Sequence, residues 1–335
     1  MYNNFYGLSA KPFQLNPDPA FFFGSKGHSR AMSYLEYGLS QAEGFIVITG
    51  EVGAGKTTLV RNLCRKLKNQ NILVAHIVNT ALDSGDILRM VVSAFNLPFE
   101  SISKAALLLR IEQFMLECGR AGKRILLVVD EAQNLSRQAL EELRMLSNLQ
   151  AGDKSPLQTF LLGQPEFRAT MMSPGMSQLR QRVIATYHLG PLDAAESKAY
   201  IEHRLRTVGW RDDPLIADDA FALIHDYAEG IPRKINTLCD RLFLMGYLEE
   251  LHAFGAHEVQ AVVADIQEEF ALPPASSLSA AMADGGEQSP VAALQELEHI
   301  EERVSRVETS VISVLDAIRK MMVAPLLKSA NQKNQ

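Results

Sequence analysis

The part of this sequence best suited to chemistry is a glycine-rich turn between an apolar run and an amphipathic run. The segment GFIVITGEVGAGKTTLV, residues 44–60, contains the pattern G-x-x-x-x-G-K-[ST]. In such a turn glycines let backbone N–H groups surround phosphates, while the following helix adds positive potential at its N-terminus. A lysine then reaches the β- and γ-phosphates, and a threonine holds Mg²⁺. The sequence therefore predicts a phosphate-binding site that contains Gly50, Glu51, Val52, Gly53, Ala54, Gly55, Lys56, Thr57 and Thr58.

A pair of acids supplies the next candidate chemistry. The run RILLVVDEAQNL, residues 124–135, places Asp130 and Glu131 directly after an apolar strand. An acid at this position can hold Mg²⁺ through water, and the adjacent glutamate can orient and deprotonate an attacking water molecule. The alternative is two solvated acids that begin a loop. The pair favours hydrolysis over binding alone.

Four further polar side chains stand where they could complete such a site. Gln164 ends the run LQTFLLGQ and could contact a γ-phosphate or the water; otherwise it is an exposed turn residue. Arg180 and Arg182 precede the last apolar run, where one of them could meet the nucleotide of a neighbouring subunit. Arg233 follows Gly-Ile-Pro at a helix start and could report the γ-phosphate. For the arginines the alternatives are a surface position or a simple salt bridge.

The strands and helices that must position these residues are predicted from the alternation of apolar and amphipathic runs. Five short apolar runs, beginning at Phe45, Ile72, Arg124, Leu157 and Val183, alternate with amphipathic runs. Buried apolar strands between helices predict an α/β fold with a parallel five-stranded sheet covered on both faces. After Pro191 only helical patterns follow. We therefore expect an α/β core over residues 1–190 and a small all-α lid over residues 191–269.

Residues 270–335 differ from the rest of the sequence in composition and periodicity. Residues 270–290 are rich in Pro, Gly, Ser and Ala, which predicts a flexible linker, and residues 326–335 form a polar tail that we expect to be disordered. Between them, residues 291–325 carry a seam at alternating spacings of three and four: Leu297, Ile300, Val304, Val307, Val311, Val314, Ile318 and Met321. This period predicts a coiled coil, for self-association or for a helical partner beside a membrane. A helix packed on the lid is the alternative.

Composition limits the class of protein. The 335 residues carry a net charge of -6, so no overall positive field indicates nucleic acid. The three cysteines form no C-x-x-C pair, which argues against a zinc site or a disulfide framework. We see neither a signal-peptide pattern nor an apolar run near the roughly 20 residues of a membrane helix. These features predict a cytoplasmic protein that reaches a membrane only through partners.

In this order the elements resemble an AAA+ ATPase, with Walker A, Walker B, a sensor-one residue, an arginine finger and a sensor-two arginine. Five segments are similar in sequence to ExeA/GspA-type general secretion ATPases: FYGLSAKPFQLNPDPAFFFGSKGH, VVDEAQNL, LLGQPEF, LRQRV and GIPRKIN. Within that family the sequence resembles the subgroup encoded beside exosortase and PEP-CTERM exopolysaccharide genes. The resemblance spans about residues 1–269 and assigns the family's roles to Lys56, Thr57, Asp130, Glu131, Gln164, Arg182 and Arg233.

The resemblance implies an ATP- and Mg²⁺-dependent homo-oligomer, expected to form a ring. It also implies a role in envelope secretion or exopolysaccharide export, with a membrane or envelope component recruited through the C-terminal helix. Members of the family often continue into a membrane helix and a peptidoglycan-binding region, whereas this sequence continues into the linker and heptad segment. Neither nucleic acid nor direct membrane insertion is expected.

Other interpretations stay open on the sequence alone. One is a DNA-associated AAA+ regulator of the transposition-helper type, and another is a nucleotide-dependent scaffold that does not hydrolyse. The aromatic N-terminal runs FYGLSAKPF and PDPAFFFGS either line an adenine pocket or pack against outer helices of the core.

Overall fold

The computed structural model describes residues 2–41, 44–67, 70–78, 84–99, 103–149 and 157–270. The chain divides into a compact unit of residues 1–269 and a second unit of residues 270–335. The predicted linker (270–290), heptad helix (291–325) and tail (326–335) belong to the second unit and, apart from Phe270, lie outside the described residues.

A parallel sheet of five strands forms the centre of the first unit. The strands are β1 (Phe45–Gly50), β2 (Ile72–Ile77), β3 (Arg124–Val129), β4 (Leu157–Gly163) and β5 (Val183–Leu189). Their order is β2-β3-β4-β1-β5, with every pairing parallel. All five begin where the apolar runs predicted. Because all the strands are parallel, the loops that follow β1, β3 and β4 leave the sheet at the same edge.

Helices cover the sheet on both faces, as the uninterrupted apolar strands require. One face packs on α4 (Ser84–Ala94), α5 (Lys104–Arg120), α6 (Arg137–Leu146) and α7 (Pro165–Met172), and the other on α2 (Lys26–Gln41) and α3 (Lys56–Leu67). Two short helices complete this part of the chain: α1 (Tyr2–Phe5) and α8 (Ser177–Arg180).

The helical region lies after the sheet and consists of α9 (Ala194–Thr207), α10 (Asp218–Ala228), α11 (Pro232–Leu248) and α12 (Ala256–Phe270). It departs from the prediction of an all-α lid in one detail. Two-residue strands, β6 (Leu215–Ile216) and β7 (Ala253–Phe254), pair in parallel between its helices. The N-terminal aromatics Tyr2, Tyr6 and Phe13 belong to the apolar cluster of this region.

Helix starts next to the candidate site are fixed by local sequence. Pro165 and Pro232 occupy the first positions of α7 and α11, where proline's missing N–H costs nothing. Ser136 caps α6, since its side chain accepts a hydrogen bond from Ala139 N. Gln164 and Arg233 therefore stand at defined points beside the sheet edge.

Within the described residues, no helix combines the length and apolar character that crossing a membrane requires.

Candidate active site

The loop of residues 51–55 joins β1 to α3 and has the backbone shape of an anion cradle. Gly53 and Gly55 have φ values of +86° and +99°, in the left-handed region that glycine adopts at least cost. A Cβ on Gly53 would lie 2.3 Å from Cβ of Arg233, and one on Gly55 would lie 2.7 Å from Nε2 of His28. Because α3 begins at Lys56, its free N–H groups open into the same loop.

Lys56 is held inside this loop. Its side chain is 6% exposed, and its Nζ donates to the carbonyl oxygens of Gly50 at 2.7 Å and Glu51 at 3.0 Å. Burial lowers the pKa of the ammonium, while the carboxylates of Glu131 and Asp130 act in the opposite direction. Neutral carbonyl partners leave the positive charge available to an incoming anion.

Asp130 and Thr57 meet across the sheet edge. Thr57 Oγ1 donates to Asp130 Oδ2 at 2.7 Å, and Asp130, only 3% exposed, also accepts from Glu131 N at 3.0 Å. The alternative of solvated acids therefore does not hold for Asp130. No cluster of three or more His, Cys, Asp or Glu side chains that could hold a metal occurs in the described ranges. Two protein oxygens suit Mg²⁺, which keeps several waters and takes phosphate oxygens as its other ligands.

Glu131 occupies a left-handed conformation (φ 53°) at the turn after β3, and two amides converge on its carboxylate. Gln133 Nε2 donates to Oε2 at 2.6 Å and Gln164 Nε2 donates to the same oxygen at 3.1 Å. Burial alone would raise the pKa of the Glu131 carboxyl. The two amide donors and the charge of Lys56 outweigh burial and hold the pKa below its usual range. The group therefore stays ionised at neutral pH and keeps a fixed orientation.

Gln133 is a member of this arrangement that sequence reasoning did not single out. The short 3-10 helix Ala132–Asn134 turns its side chain back toward Glu131, and its Oε1 accepts from Gln164 N at 3.1 Å. It links the ends of β3 and β4. Its position two residues after Glu131 was visible, but nothing in the sequence indicated that the chain would turn back.

Arg233 lies on the phosphate loop. Its backbone N donates to Gly53 O at 3.2 Å, and its side-chain carbons fill the space that a Cβ on Gly53 would need. Among the described residues it forms no ion pair within 4.0 Å, so the salt-bridge alternative is not what the structure contains. The first turn of α11 thus brings a cation from the helical region to the cradle.

The two candidate finger arginines are not drawn into this arrangement. Arg180 Nη1 donates to the carbonyl oxygens of Met171 (2.7 Å) and Ser173 (3.3 Å), at the end of α7. Arg182 Nη1 donates to Ser147 O at 3.1 Å, just after α6. Both arginines bond to carbonyls of the core rather than to the residues around Glu131.

A second contact on the loop was also missed by sequence reasoning. Ser25 Oγ and His28 Nδ1 are 2.7 Å apart, and His28 Nε2 lies 3.1 Å from Ala54 O. Burial lowers the pKa of His28. Since the carbonyl oxygen of Ala54 can only accept, Nε2–H donates to the loop. The first turn of α2 thereby supports the phosphate loop at Ala54.

A cleft that is partly open to solvent runs from the loop toward the N-terminal residues. Its walls are formed by the loop, by residues 14–18 and 21–23, and by Tyr200, Arg204 and Asn236 of the helical region. The two N-terminal aromatic runs occupy different places. PDPAFFFGS lines the cleft, whereas FYGLSAKPF does neither of the two things predicted: it packs into the helical region and not against outer helices of the core.

Comparison with known proteins finds a matching family model and a related protein. Residues 39–171 match the family model described as an AAA domain. Over 260 residues the chain is 38% identical to General secretion pathway protein A of Aeromonas hydrophila. The matched region covers 77% of this chain and 46% of that protein. The chain thus spans less than half the length of this relative. The resemblance to the exosortase-associated subgroup stays a prediction.

Solved structures are similar in fold. The ORC2 protein of Aeropyrum pernix, in its ADPNP–ADP complexes, superposes with a TM-score of 0.60 at 20% identity, over 76% of this chain and 71% of that chain. Cdc6p from Pyrobaculum aerophilum gives a TM-score of 0.61 at 16% identity, over 76% and 74% of the two chains. At such identities the likeness concerns the fold alone.

Proposed function

Because residues 39–171 form an AAA domain and the chain has the P-loop AAA+ fold, we propose that it hydrolyses ATP with Mg²⁺. The observation that carries this proposal is the orientation of Glu131. Its carboxylate is held ionised by Gln133 and Gln164, next to the Thr57–Asp130 pair and the ammonium of Lys56. A site for binding alone would not need a carboxylate oriented in this way.

Each residue has a proposed role in this reaction. Backbone N–H groups of residues 50–58 and Lys56 bind the phosphates. Thr57 and Asp130 would hold Mg²⁺, which would supply positive charge at the phosphates. Glu131 orients the attacking water and accepts its proton, and Gln164 keeps the carboxylate in place while it contacts the water or the γ-phosphate. Arg233 links the γ-phosphate to the helical region, which acts as a lid.

A second proposal concerns the oligomeric assembly and the export pathway that the protein serves. We infer a homo-oligomer, in ring form, in which Arg182 of one subunit reaches the nucleotide of the next. The name of the Aeromonas relative supports a role in secretion, and the sequence resemblance extends this to exopolysaccharide export. In this proposal the chain drives or assembles an envelope export system, with the C-terminal heptad segment recruiting a component of that system.

Two substitutions with matched controls test the reaction. Glu131→Gln removes the base but keeps the shape, so ATP binding should persist while turnover falls about 10²- to 10⁴-fold. Lys56→Ala should lose both binding and turnover. Glu117→Gln and Lys123→Ala, at exposed positions of α5 and the turn after it, serve as controls and should behave like the parent. Unchanged hydrolysis by Glu131→Gln would overturn the catalytic assignment.

The Glu131→Gln variant, which should bind ATP without hydrolysing it, also tests the proposed role in envelope export. Proteins that co-purify with Glu131→Gln in the presence of ATP should include an envelope export component. Salt-dependent DNA retention on filters, with no such component, would instead support a DNA-associated regulator.

A further inference from the structure

The cleft has one wall whose support comes from a buried arginine. Arg204 in α9 is 6% exposed, and within the described residues no carboxylate lies within 4.0 Å of its guanidinium. A buried charge without a counter-ion is costly unless its donors are satisfied. This arginine lines the cleft, so its partners define part of the cleft's shape.

Those partners belong mainly to one N-terminal segment. Arg204 Nε donates to Pro12 O at 2.6 Å, Nη2 to Gln14 O at 3.1 Å, and Nη1 to the hydroxyl of Tyr200 at 2.7 Å. Its guanidinium carbon lies 4.8 Å from the centre of the Phe21 ring. The planar fork of arginine suits such a set of neutral acceptors, and the aromatic face contributes a cation–π attraction. We call residues 12–23 the N-terminal strap.

The strap is joined to the core as well as to the helical region. Arg61 of α3 donates from Nη1 to Pro17 O at 2.9 Å, and the short 3-10 helix Pro19–Phe21 contacts both α3 and α9. The ring of Phe22 meets His28 edge-on at 5.9 Å, while that of Phe23 meets Tyr200 at 5.9 Å. The strap therefore spans the cleft between the helix of the phosphate loop and the helical region.

We infer that Arg204 is a positioning residue that holds the N-terminal strap as the wall of the cleft contacted by the nucleoside part of the bound nucleotide. This inference rests on the proposed nucleotide site. The phosphates are bound by the loop around Lys56, so the strap contributes to the affinity for the base and sugar and not to that for the phosphate chain. Binding of the nucleoside then depends on where the helical region holds the strap.

The test compares ATP with inorganic tripolyphosphate, which has the phosphate chain but no nucleoside. Arg204→Met keeps the apolar stem and removes the donors, and Arg204→Lys keeps the charge with a smaller reach. Arg206→Met is the matched control, on the same helix but exposed and paired with Glu202. The affinity for each ligand is measured by calorimetry, and backbone hydrogen exchange is followed in the strap.

Arg204→Met should weaken ATP binding at least about tenfold, because three hydrogen bonds from a charged group are lost. Binding of tripolyphosphate should stay within about twofold, exchange in residues 12–23 should accelerate, and Arg204→Lys should give a smaller effect of the same kind. Equal losses of affinity for both ligands would overturn the inference. Unchanged ATP affinity, or unchanged hydrogen exchange in the strap, would overturn it as well. A parent protein that binds neither ligand would overturn the proposed function itself.

Discussion

Gln164 and Glu131, which lie at the ends of β4 and β3, are joined by a hydrogen bond of 3.1 Å from Nε2 to Oε2. The same carboxylate oxygen accepts from Gln133 Nε2 at 2.6 Å. These two hydrogen bonds fix the orientation of Glu131 relative to the neighbouring strand. Substituting the amide donors and measuring turnover tests whether this orientation matters.

Gln164→Leu should lower turnover about tenfold or more while ATP binding changes little, because a hydrogen bond to a charged group is worth about 1.5–3 kcal/mol. One of the causes that lower the pKa of Glu131 is removed as well, so that pKa rises. The acid limb of the pH–rate profile should therefore move to higher pH. Gln133→Leu should act in the same direction, whereas the exposed Gln138→Leu should match the parent. An unmoved acid limb in both variants would contradict the role of these amides.

Gly53→Ala should abolish nucleotide binding. The new Cβ would meet Arg233 Cβ at 2.3 Å and would also impose a side chain at φ +86°. Gly175→Ala is the matched control, since its φ is +90° but nothing lies within 4 Å of the added Cβ. The control should lose about 1 kcal/mol of unfolding free energy through backbone strain and keep ATP affinity. Thermal unfolding and ATP titration separate the two effects; equal ATP affinity in both variants would argue against the Gly53–Arg233 contact.

His28 should contribute to acid sensitivity. Burial lowers its folded-state pKa below the unfolded value of about 6.5. Between the two pKa values the unfolded chain binds more protons, so unfolding free energy falls as pH drops below about 6.5. His28→Gln should reduce the difference in unfolding free energy between pH 7.5 and pH 5.5, measured by denaturant titration. Some slope should remain, because burial also lowers the pKa of His76 and His203. An unchanged difference in His28→Gln would contradict the contribution assigned to this buried ring.

Mixing subunits tests whether an arginine acts across an interface. Arg182→Ala and Lys56→Ala should each be inactive, and a mixed oligomer should recover activity because each subunit supplies what the other lacks. Arg180 already bonds to two carbonyls at the end of α7, so Arg180→Ala should mainly lower stability, by about 1–3 kcal/mol. No recovery in confirmed mixed assemblies, measured by phosphate release, would speak against a finger supplied by a neighbour.

Deletion of residues 291–335 should leave ATP binding intact and weaken self-association or partner recruitment. The reason is the predicted heptad seam, whose apolar side chains need a partner helix to be buried. Light scattering gives the mass, and pull-down of the export component gives recruitment. An unchanged mass together with unchanged recruitment would rule out an assembly role for this segment.

Much of the fold could be predicted because its signals are local. The five apolar runs form the five strands, and α11 starts at the proline of the Gly-Ile-Pro run, as predicted. The phosphate loop was predicted because its geometry depends on a few adjacent residues, Gly53, Gly55 and Lys56. Such features need no knowledge of distant contacts.

The site's remaining members depend on contacts between segments far apart in the chain. Arg204 meets Pro12 across 192 positions, and His28 meets Ala54 across 26. The sequence by itself determined the strands, the phosphate loop and the acids of the site, because periodicity and spacing encode them. Only the tertiary structure decided that Gln133 turns back on Glu131, that Arg233 packs on Gly53 and that a buried arginine holds the N-terminal strap. Side-chain partners of this kind are set by how helices and strands pack, and no local pattern records that packing.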